Sequence, residues 1–204
     1  MVQWKNTKDF YNKTAGEWAD KGYQDESLLP YLTYFMKQLP EHPRVLDLCC
    51  GTGCETMRLQ QLGAEAAGID FSETSIEIAR QHNSTIPFYV DNMLNDYSYA
   101  GSFDGAVVIA GLVHLHNQEL RSALGNLHGV LREKGKLLVS VKDGTGKSDK
   151  QSYTTIDGEN YDRDFYFHTL EELKLSAEGM FDFIEEVYPN EESSWKKYLF
   201  QKRG

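Results

Sequence analysis

The stretch that decides the fold is Val45-Leu46-Asp47-Leu48-Cys49-Cys50-Gly51-Thr52-Gly53-Cys54-Glu55-Thr56. Its apolar start predicts a buried strand over residues 44–48, and its glycines predict a sharp turn into a helix that ends near Leu62. Gly51 and Gly53 allow a tight turn and let a ligand lie directly against the peptide plane. The helix then offers N–H groups that have no partner inside the helix. We therefore expect a ligand crevice at the end of this strand.

Short apolar runs alternate with helical patterns along the rest of the chain, which is typical of βαβ units. The predicted parallel strands cover residues 44–48, 65–69, 86–90, 103–110 and 136–141. Two further strands, residues 181–188 and 195–201, are joined too closely for a parallel crossover and therefore pair antiparallel. The predicted fold is α/β: a Rossmann-like, doubly wound, seven-stranded and mostly parallel sheet with a C-terminal antiparallel hairpin and helices on both faces.

Helix starts and domain limits follow from local signals. Ser72 is placed to cap one helix and Asn117 a second, and Thr169 with Glu172 forms a capping box for a third. Two more helices precede the first strand. The prediction is one domain over residues 1–204, in which residues 1–40 form a lid and residues 143–168 an insertion on the substrate side.

Composition excludes several classes of protein. The chain has 204 residues and a formal net charge of −10, so it lacks the basic footprint of a duplex-binding protein and is not expected to bind nucleic acid or an anionic membrane. Its three cysteines, Cys49, Cys50 and Cys54, lack the pattern of a disulfide framework and the fourth ligand that zinc requires. We expect a cytoplasmic protein without a metal. The sequence does not indicate the oligomeric state.

The glycine turn differs from a dinucleotide site. Such a site has a third glycine where Thr56 stands, which packs the helix on the strand and seats a pyrophosphate. Asp47 would repel a pyrophosphate but would attract the ammonium of an amino acid. An oxidoreductase that uses NAD is therefore the weaker alternative, and a non-enzymatic module that binds the cofactor is another.

Further candidate residues follow the next strands. Asp70 can accept hydrogen bonds from a ribose diol, Asp91 can accept from an exocyclic amine, and Met93 offers a soft surface to a purine. Ala110 and Gly111 leave room beside the glycine turn. Each motif alone also has a plain structural interpretation, such as a cap or a polar turn, so their joint occurrence is the signal.

These motifs, together with residues 103–114 and 131–138, resemble the class I S-adenosylmethionine-dependent methyltransferases over about residues 40–142. The resemblance implies methyl transfer from S-adenosylmethionine, with S-adenosylhomocysteine as product, to a small-molecule acceptor. It implies a cofactor site formed by Tyr11, Trp18, Asp47, Cys49, Gly51, Gly53, Asp70, Phe71, Asp91, Asn92, Met93 and Ala110. In that site Asp47, Cys49, Gly51 and Gly53 would face the methionine part, Asp70 the ribose, and Asp91 with Met93 the adenine. Cys49 departs from the family, which usually has glycine there.

Candidates for proton transfer and acceptor binding are fewer. His114 and His116 lie just past the fourth predicted strand, where a histidine of near-neutral pKa can accept a proton. A structural histidine in a helix-entry turn is the equal alternative. Arg163, Tyr166 and His168 are the candidates for contact with the acceptor. The sequence does not indicate whether oxygen, nitrogen, sulfur or carbon is methylated.

Overall fold

The computed structural model describes residues 2–146, 151–155, 158–163 and 165–204 of the chain. The helices are α1 (Val2–Gly22), α2 (Leu29–Met36), α3 (Cys54–Gln61), α4 (Glu73–His82), α5 (Asn117–Val130) and α6 (Leu170–Ser176). The strands are β1 (Arg44–Leu48), β2 (Glu65–Asp70), β3 (Phe88–Val90), β4 (Phe103–Ile109), β5 (Leu131–Lys142), β6 (Gln151–Thr154), β7 (Asn160–Arg163), β8 (Phe181–Glu186) and β9 (Trp195–Lys202).

A seven-stranded sheet forms the centre of the molecule, in the order β3-β2-β1-β4-β5-β9-β8. Strands β1 to β5 are mutually parallel, while β9 pairs antiparallel with both β5 and β8. The predicted fold class is therefore confirmed, including the terminal hairpin. The strand order reverses between β1 and β4, and this is the point at which open α/β sheets bind their ligands.

Helices cover both faces of the sheet because each presents an apolar stripe. On one face, α5 buries Leu120, Leu124 and Leu127 in the largest core cluster. On the other face, Leu32 and Phe35 of α2 belong to a second cluster with residues of β1, β4 and β9. The predicted capping box of Thr169 and Glu172 begins α6, and Ser72 caps α4 by accepting a hydrogen bond from the Ser75 N–H.

Three sequence expectations about elements were wrong in detail. The N-cap of α5 is His116 and not Asn117, which is already helical. Strand β3 begins at Phe88, two residues after its predicted start. Strand β5 begins at Leu131, because Leu131 pairs with Phe103 before a bulge shifts the register and pairs Lys136 with Gly105.

The insertion at residues 143–168 contains structure that the sequence did not indicate. Strands β6 and β7 pair antiparallel as a separate hairpin, which contacts α1. The mixture of Gly, Ser, Lys and Asp there hid the strands, because it resembles an ordinary loop. Among the described residues, no helix has the length and apolarity needed to cross a membrane. The assignment of residues 1–204 to one domain stays a prediction.

Candidate functional site

A cavity of about 400 Å³ opens at the carboxyl edge of the sheet, above the turn that follows β1. This volume lies within the range of pockets that hold drug-sized ligands and cofactors. Residues from the ends of four strands and from α1 share its wall. The predicted site residues found on the wall are Tyr11, Trp18, Cys49, Gly51, Asp70, Phe71, Asp91, Asn92, Met93, Ala110 and His114.

The glycine turn has the left-handed backbone that its sequence requires. Gly51 has φ 53° and Gly53 has φ 82°, a region in which a side chain is strained. A Cβ added at Gly51 would meet no atom within 4 Å, so this side of the peptide faces open space. A Cβ at Gly53 would lie 2.9 Å from the Phe88 ring. Gly51 therefore leaves room for a ligand, while Gly53 lets the turn pack onto the sheet.

Asp70 connects the ends of β1 and β2. Its Oδ2 accepts the Gly51 N–H at 2.9 Å, and its Oδ1 accepts the Ser72 N–H at 2.9 Å. Burial raises the pKa of Asp70, and these backbone donors oppose that shift. An ionised carboxylate has about four lone-pair sites, so both oxygens retain capacity for hydroxyl donors from the cavity.

Asp91 is also held in one orientation. Its Oδ1 accepts from the Asn92 N–H at 2.7 Å and from Asn95 Nδ2 at 2.7 Å, and its Oδ2 accepts from the Tyr99 hydroxyl at 2.9 Å. Met93 is buried beside it on the cavity wall. A preoriented carboxylate next to a thioether suits a flat base that carries an amine.

Asp47 does not lie where the sequence placed it. Its side chain is 1 % exposed, is not on the cavity wall, and accepts the Thr56 hydroxyl at 2.6 Å. Burial raises the pKa of Asp47 to about 8, against the opposing effect of the Thr56 hydrogen bond. The hydrogen bond between Asp47 and Thr56 therefore connects β1 to α3. Thr56 makes this bond at the position where a dinucleotide site has glycine.

Cys49 occupies a position that favours glycine, with φ 64°. Its side chain fits because Gly111 lies opposite: a Cβ at Gly111 would fall 2.7 Å from Cys49 Sγ and 2.8 Å from Cys49 Cβ. Burial raises the pKa of the Cys49 thiol well above its ordinary value, with Asp70 the next contribution, so the thiol stays protonated. The departure from the usual glycine is thus compensated across the cavity wall.

Helix α1 covers one side of the cavity and is fastened at several points. Asn12 Oδ1 accepts the Ser72 hydroxyl at 2.7 Å, and Tyr23, just past the helix, donates to the Thr52 carbonyl at 2.9 Å. Tyr153 of β6 donates to Glu17 at 2.7 Å. Helix α1 lies within residues 1–40, and the β6–β7 hairpin, which the sequence did not indicate, contacts it. The assignment of residues 1–40 as a lid stays a prediction.

His114 is the histidine that reaches the cavity. It is buried in a short 3-10 turn after β4, and its Nε2 lies 2.9 Å from the Tyr11 hydroxyl. The Phe165 ring lies 5.2 Å from its ring centroid. The Tyr11–His114 pair therefore places a group that can exchange a proton beside Ala110.

The remaining sequence candidates lie away from the cavity wall. His116 is exposed, caps α5 and lies 2.8 Å from the Tyr166 hydroxyl. His168 is fully buried, with Nε2 3.0 Å from the Leu112 carbonyl and Nδ1 3.1 Å from Asn117 Oδ1. These three side chains fasten the segment after β7 to the β4–α5 connection. The Arg163 side chain lies outside the described part of the structure.

Sequence reasoning missed Glu55, Phe165 and Trp195, which lie on the cavity wall. Glu55 carried a usable signal, since it lies two positions after the second glycine in the first turn of α3. Trp195 begins β9, and the antiparallel pairing brings that end to the ligand edge of the sheet. Phe165 carried no sequence signal. Among the described residues on the wall, three are carboxylates and none is Lys or Arg.

Comparison with known proteins finds similar sequences and similar structures. The family model described as a methyltransferase domain matches residues 45–135, the segment that contains β1 to β4 together with Asp70 and Asp91. Over this segment the chain is similar to methyltransferase domains. A putative methyltransferase of Bacillus subtilis, YqeM, is 35 % identical over 108 residues, which cover 50 % of this chain and 44 % of that protein.

Two further similarities extend the comparison. The ubiquinone biosynthesis O-methyltransferase of Nitrosococcus oceani is 27 % identical over 158 residues, which cover 74 % of this chain and 60 % of that enzyme. A Burkholderia thailandensis 1,6-didemethyltoxoflavin-N1-methyltransferase, solved with its acceptor and S-adenosylhomocysteine, superposes with a TM-score of 0.70 at 18 % identity over 98 % and 88 % of the two chains. The chain spans about half the length of the first curated relatives that it matches.

The residues of this cavity fit S-adenosylmethionine, which the solved methyltransferases similar to this chain bind. Gly51 leaves one peptide open to the cavity, Asp70 lies on the wall with lone pairs to spare, and Asp91 and Met93 lie on the same wall. A nucleoside with a diol and an exocyclic amine would find a complementary group at each of these residues.

The contact between Cys49 and Gly111 predicts a coupled pair of substitutions. Gly111→Ala forces a methyl group against the cysteine and should lower the free energy of unfolding by about 1–3 kcal/mol. Adding Cys49→Gly removes the atoms in conflict and the side chain at positive φ, so the double variant should recover most of the loss. Urea denaturation of the four proteins measures the coupling, and strictly additive losses would contradict the contact.

The pKa of Asp47 predicts a dependence of stability on pH. An unfolded aspartate ionises near pH 4, whereas the folded protein retains this proton to about pH 8. The stabilising contribution is thus complete below pH 4 and is lost as pH rises through 8, by up to about 1.4 kcal/mol per pH unit. Asp47→Asn should flatten the stability profile between these limits. An unchanged profile in thermal denaturation from pH 5 to pH 8 would disprove the assignment.

Proposed function

We propose that this chain transfers the methyl group of S-adenosylmethionine to a small-molecule acceptor by in-line displacement. The observation that carries the proposal is the convergence of the open Gly51 peptide, Asp70 and Asp91 on one cavity at the switch point of the sheet. Bound S-adenosylmethionine supplies an electrophilic methyl group on a sulfonium. The protein's part is to orient the reactants and exclude water.

The cofactor contacts follow the order of the strands. Asp91 and Met93 after β3 would hold the adenine, Asp70 after β2 the ribose, and the glycine turn after β1 the amino-acid part. Phe71 and Asn92 complete the wall beside these groups, with Tyr11 and Trp18 covering it from α1. This order leaves the reacting end beside Ala110, where β4 ends and the space opens toward the acceptor.

The acceptor side of the cavity differs in chemistry from the cofactor side. This side is lined by His114 after the end of β4, by Phe165 from the segment after β7 and by Trp195 at the start of β9. Without Lys or Arg on the described wall, an anionic acceptor would find no opposite charge, and the rings suit a small uncharged or cationic molecule. The formal net charge of −10 likewise favours a small acceptor over nucleic acid.

His114 is the proposed proton acceptor. A hydroxyl, thiol or ammonium nucleophile would pass its proton to the Tyr11 hydroxyl, which in turn gives its own proton to His114 Nε2 at 2.9 Å. His116 takes no part in this proposal because it lies off the wall. The cytoplasmic location stays a prediction; the three cysteines are free thiols in the structure.

Cofactor binding is tested by calorimetric titration with S-adenosylhomocysteine and with NAD. We expect binding of S-adenosylhomocysteine and none of NAD at the same concentrations. Asp70→Asn should weaken this binding by roughly tenfold or more, because two hydroxyl donors lose a charged acceptor. Asp96→Asn is the matched control, as Asp96 is exposed and off the wall. Preference for NAD, or equal effects of both substitutions, would overturn the assignment.

The role of His114 is tested with an acceptor found by screening small phenols, amines and thiols for radiolabelled methyl. His114→Ala should lower kcat about 100-fold or more, the range for loss of a general base, while the Kd of S-adenosylhomocysteine stays within threefold. His116→Ala should leave kcat near the wild-type value. A wild-type rate in His114→Ala would leave this histidine with a structural role only.

A further inference from the structure

The amino-acid end of the cofactor needs a partner for its ammonium. This inference rests on the proposed function, because it concerns how the same cavity binds S-adenosylmethionine. The sequence suggested Asp47 for this part, but Asp47 lies behind the turn and accepts the Thr56 hydroxyl. Three carboxylates on the described wall remain, and Asp70 and Asp91 face the ribose and the base. The carboxylate still unassigned is Glu55.

The position of Glu55 along the cavity matches this need. A ligand that lies with its base at the end of β3 and its ribose at the end of β2 reaches the end of β1 with its third part. The glycine turn and the first residues of α3 lie there, and Glu55 is in the first turn of that helix. The first N–H groups of α3 suit a ligand carboxylate, which leaves the neighbouring ammonium for an acid.

The side chain of Glu55 is held in place by Arg58, three residues later in α3. Arg58 Nη1 donates to Glu55 Oε1 at 3.0 Å, and Arg58 Nη2 donates to the Gly22 carbonyl at 2.7 Å at the end of α1. Among the described residues, no second side chain donates to this carboxylate. The glutamate is thus oriented by one contact and keeps capacity to accept from a ligand.

We propose that Glu55 binds the ammonium of the cofactor's amino-acid part and thereby sets how far the cofactor extends toward Ala110. Burial raises the pKa of Glu55, against the opposing effect of Arg58, so an additional positive charge at this carboxylate stabilises its ionised form. Glu55 is a positioning residue: it touches the cofactor at the end remote from the methyl group.

Three ligands distinguish the contribution of the ammonium to binding from that of the other parts of the cofactor. S-adenosylhomocysteine carries both ammonium and carboxylate, its decarboxylated analogue S-adenosyl-3-thiopropylamine carries the ammonium alone, and 5′-methylthioadenosine carries neither. Calorimetric Kd values are measured for wild type, Glu55→Gln and Glu65→Gln. Glu65 is an exposed residue at the start of β2, off the cavity wall, and serves as the matched control. Thermal denaturation shows whether each variant is folded.

The expected result is a pattern across ligands. Glu55→Gln should raise the Kd of S-adenosylhomocysteine and that of the amine-only analogue about tenfold each, because both carry the ammonium. The Kd of 5′-methylthioadenosine, which lacks the ammonium, should stay within twofold. Glu65→Gln should change none of the three.

Other patterns overturn the inference. Equal loss for all three ligands would mean that Glu55 merely shapes the glycine turn, and no loss for any would remove it from the site. A loss confined to S-adenosylhomocysteine, with the amine-only analogue unaffected, would show that Glu55 does not recognise the ammonium. Should wild type bind none of the three, the proposed function itself fails, and the inference with it.

Discussion

The hydrogen bonds of the Asp70 carboxylate are the constraint on which the site depends. One oxygen accepts from Gly51 and the other from Ser72, so a single side chain joins the turn after β1 to the start of α4. These bonds fix where the glycine peptide faces and which way the carboxylate points. Because both donors are backbone N–H groups, the arrangement survives side-chain variation around it, and ligand binding need not order it.

The acidic and the aromatic parts of the cavity wall are separated according to the order of the strands. The acids Glu55, Asp70 and Asp91 follow β1, β2 and β3, whereas His114 follows β4 and Trp195 begins β9. Under the proposed function, a cationic, hydrogen-bonding cofactor would lie along the first three strands and a flatter, less polar acceptor beside the other two. The sheet order favours this separation, because the parallel strands bring their carboxyl ends, and antiparallel β9 its amino end, to one edge.

The sequence predicted the sheet, its terminal hairpin and 11 of the 23 residues on the cavity wall, because glycines, acids and apolar runs act locally and the topology brings them together. It failed where a residue's role depends on a distant partner. Asp47 reads as a ligand for an ammonium until Thr56 is seen to bind it. Phe165 and the β6–β7 hairpin gave no signal, since their positions depend on packing against α1 and the β4 turn.

The contacts of Tyr153 have a consequence for exchange of ligands. Its hydroxyl donates to Glu17 and accepts from Lys21, and its ring packs at 5.7 Å from Trp18 on the cavity wall. These contacts tie the hairpin to α1, which forms part of the cavity wall. Any movement of α1 that exposes the cavity would therefore have to carry the hairpin along or break the bonds of Tyr153.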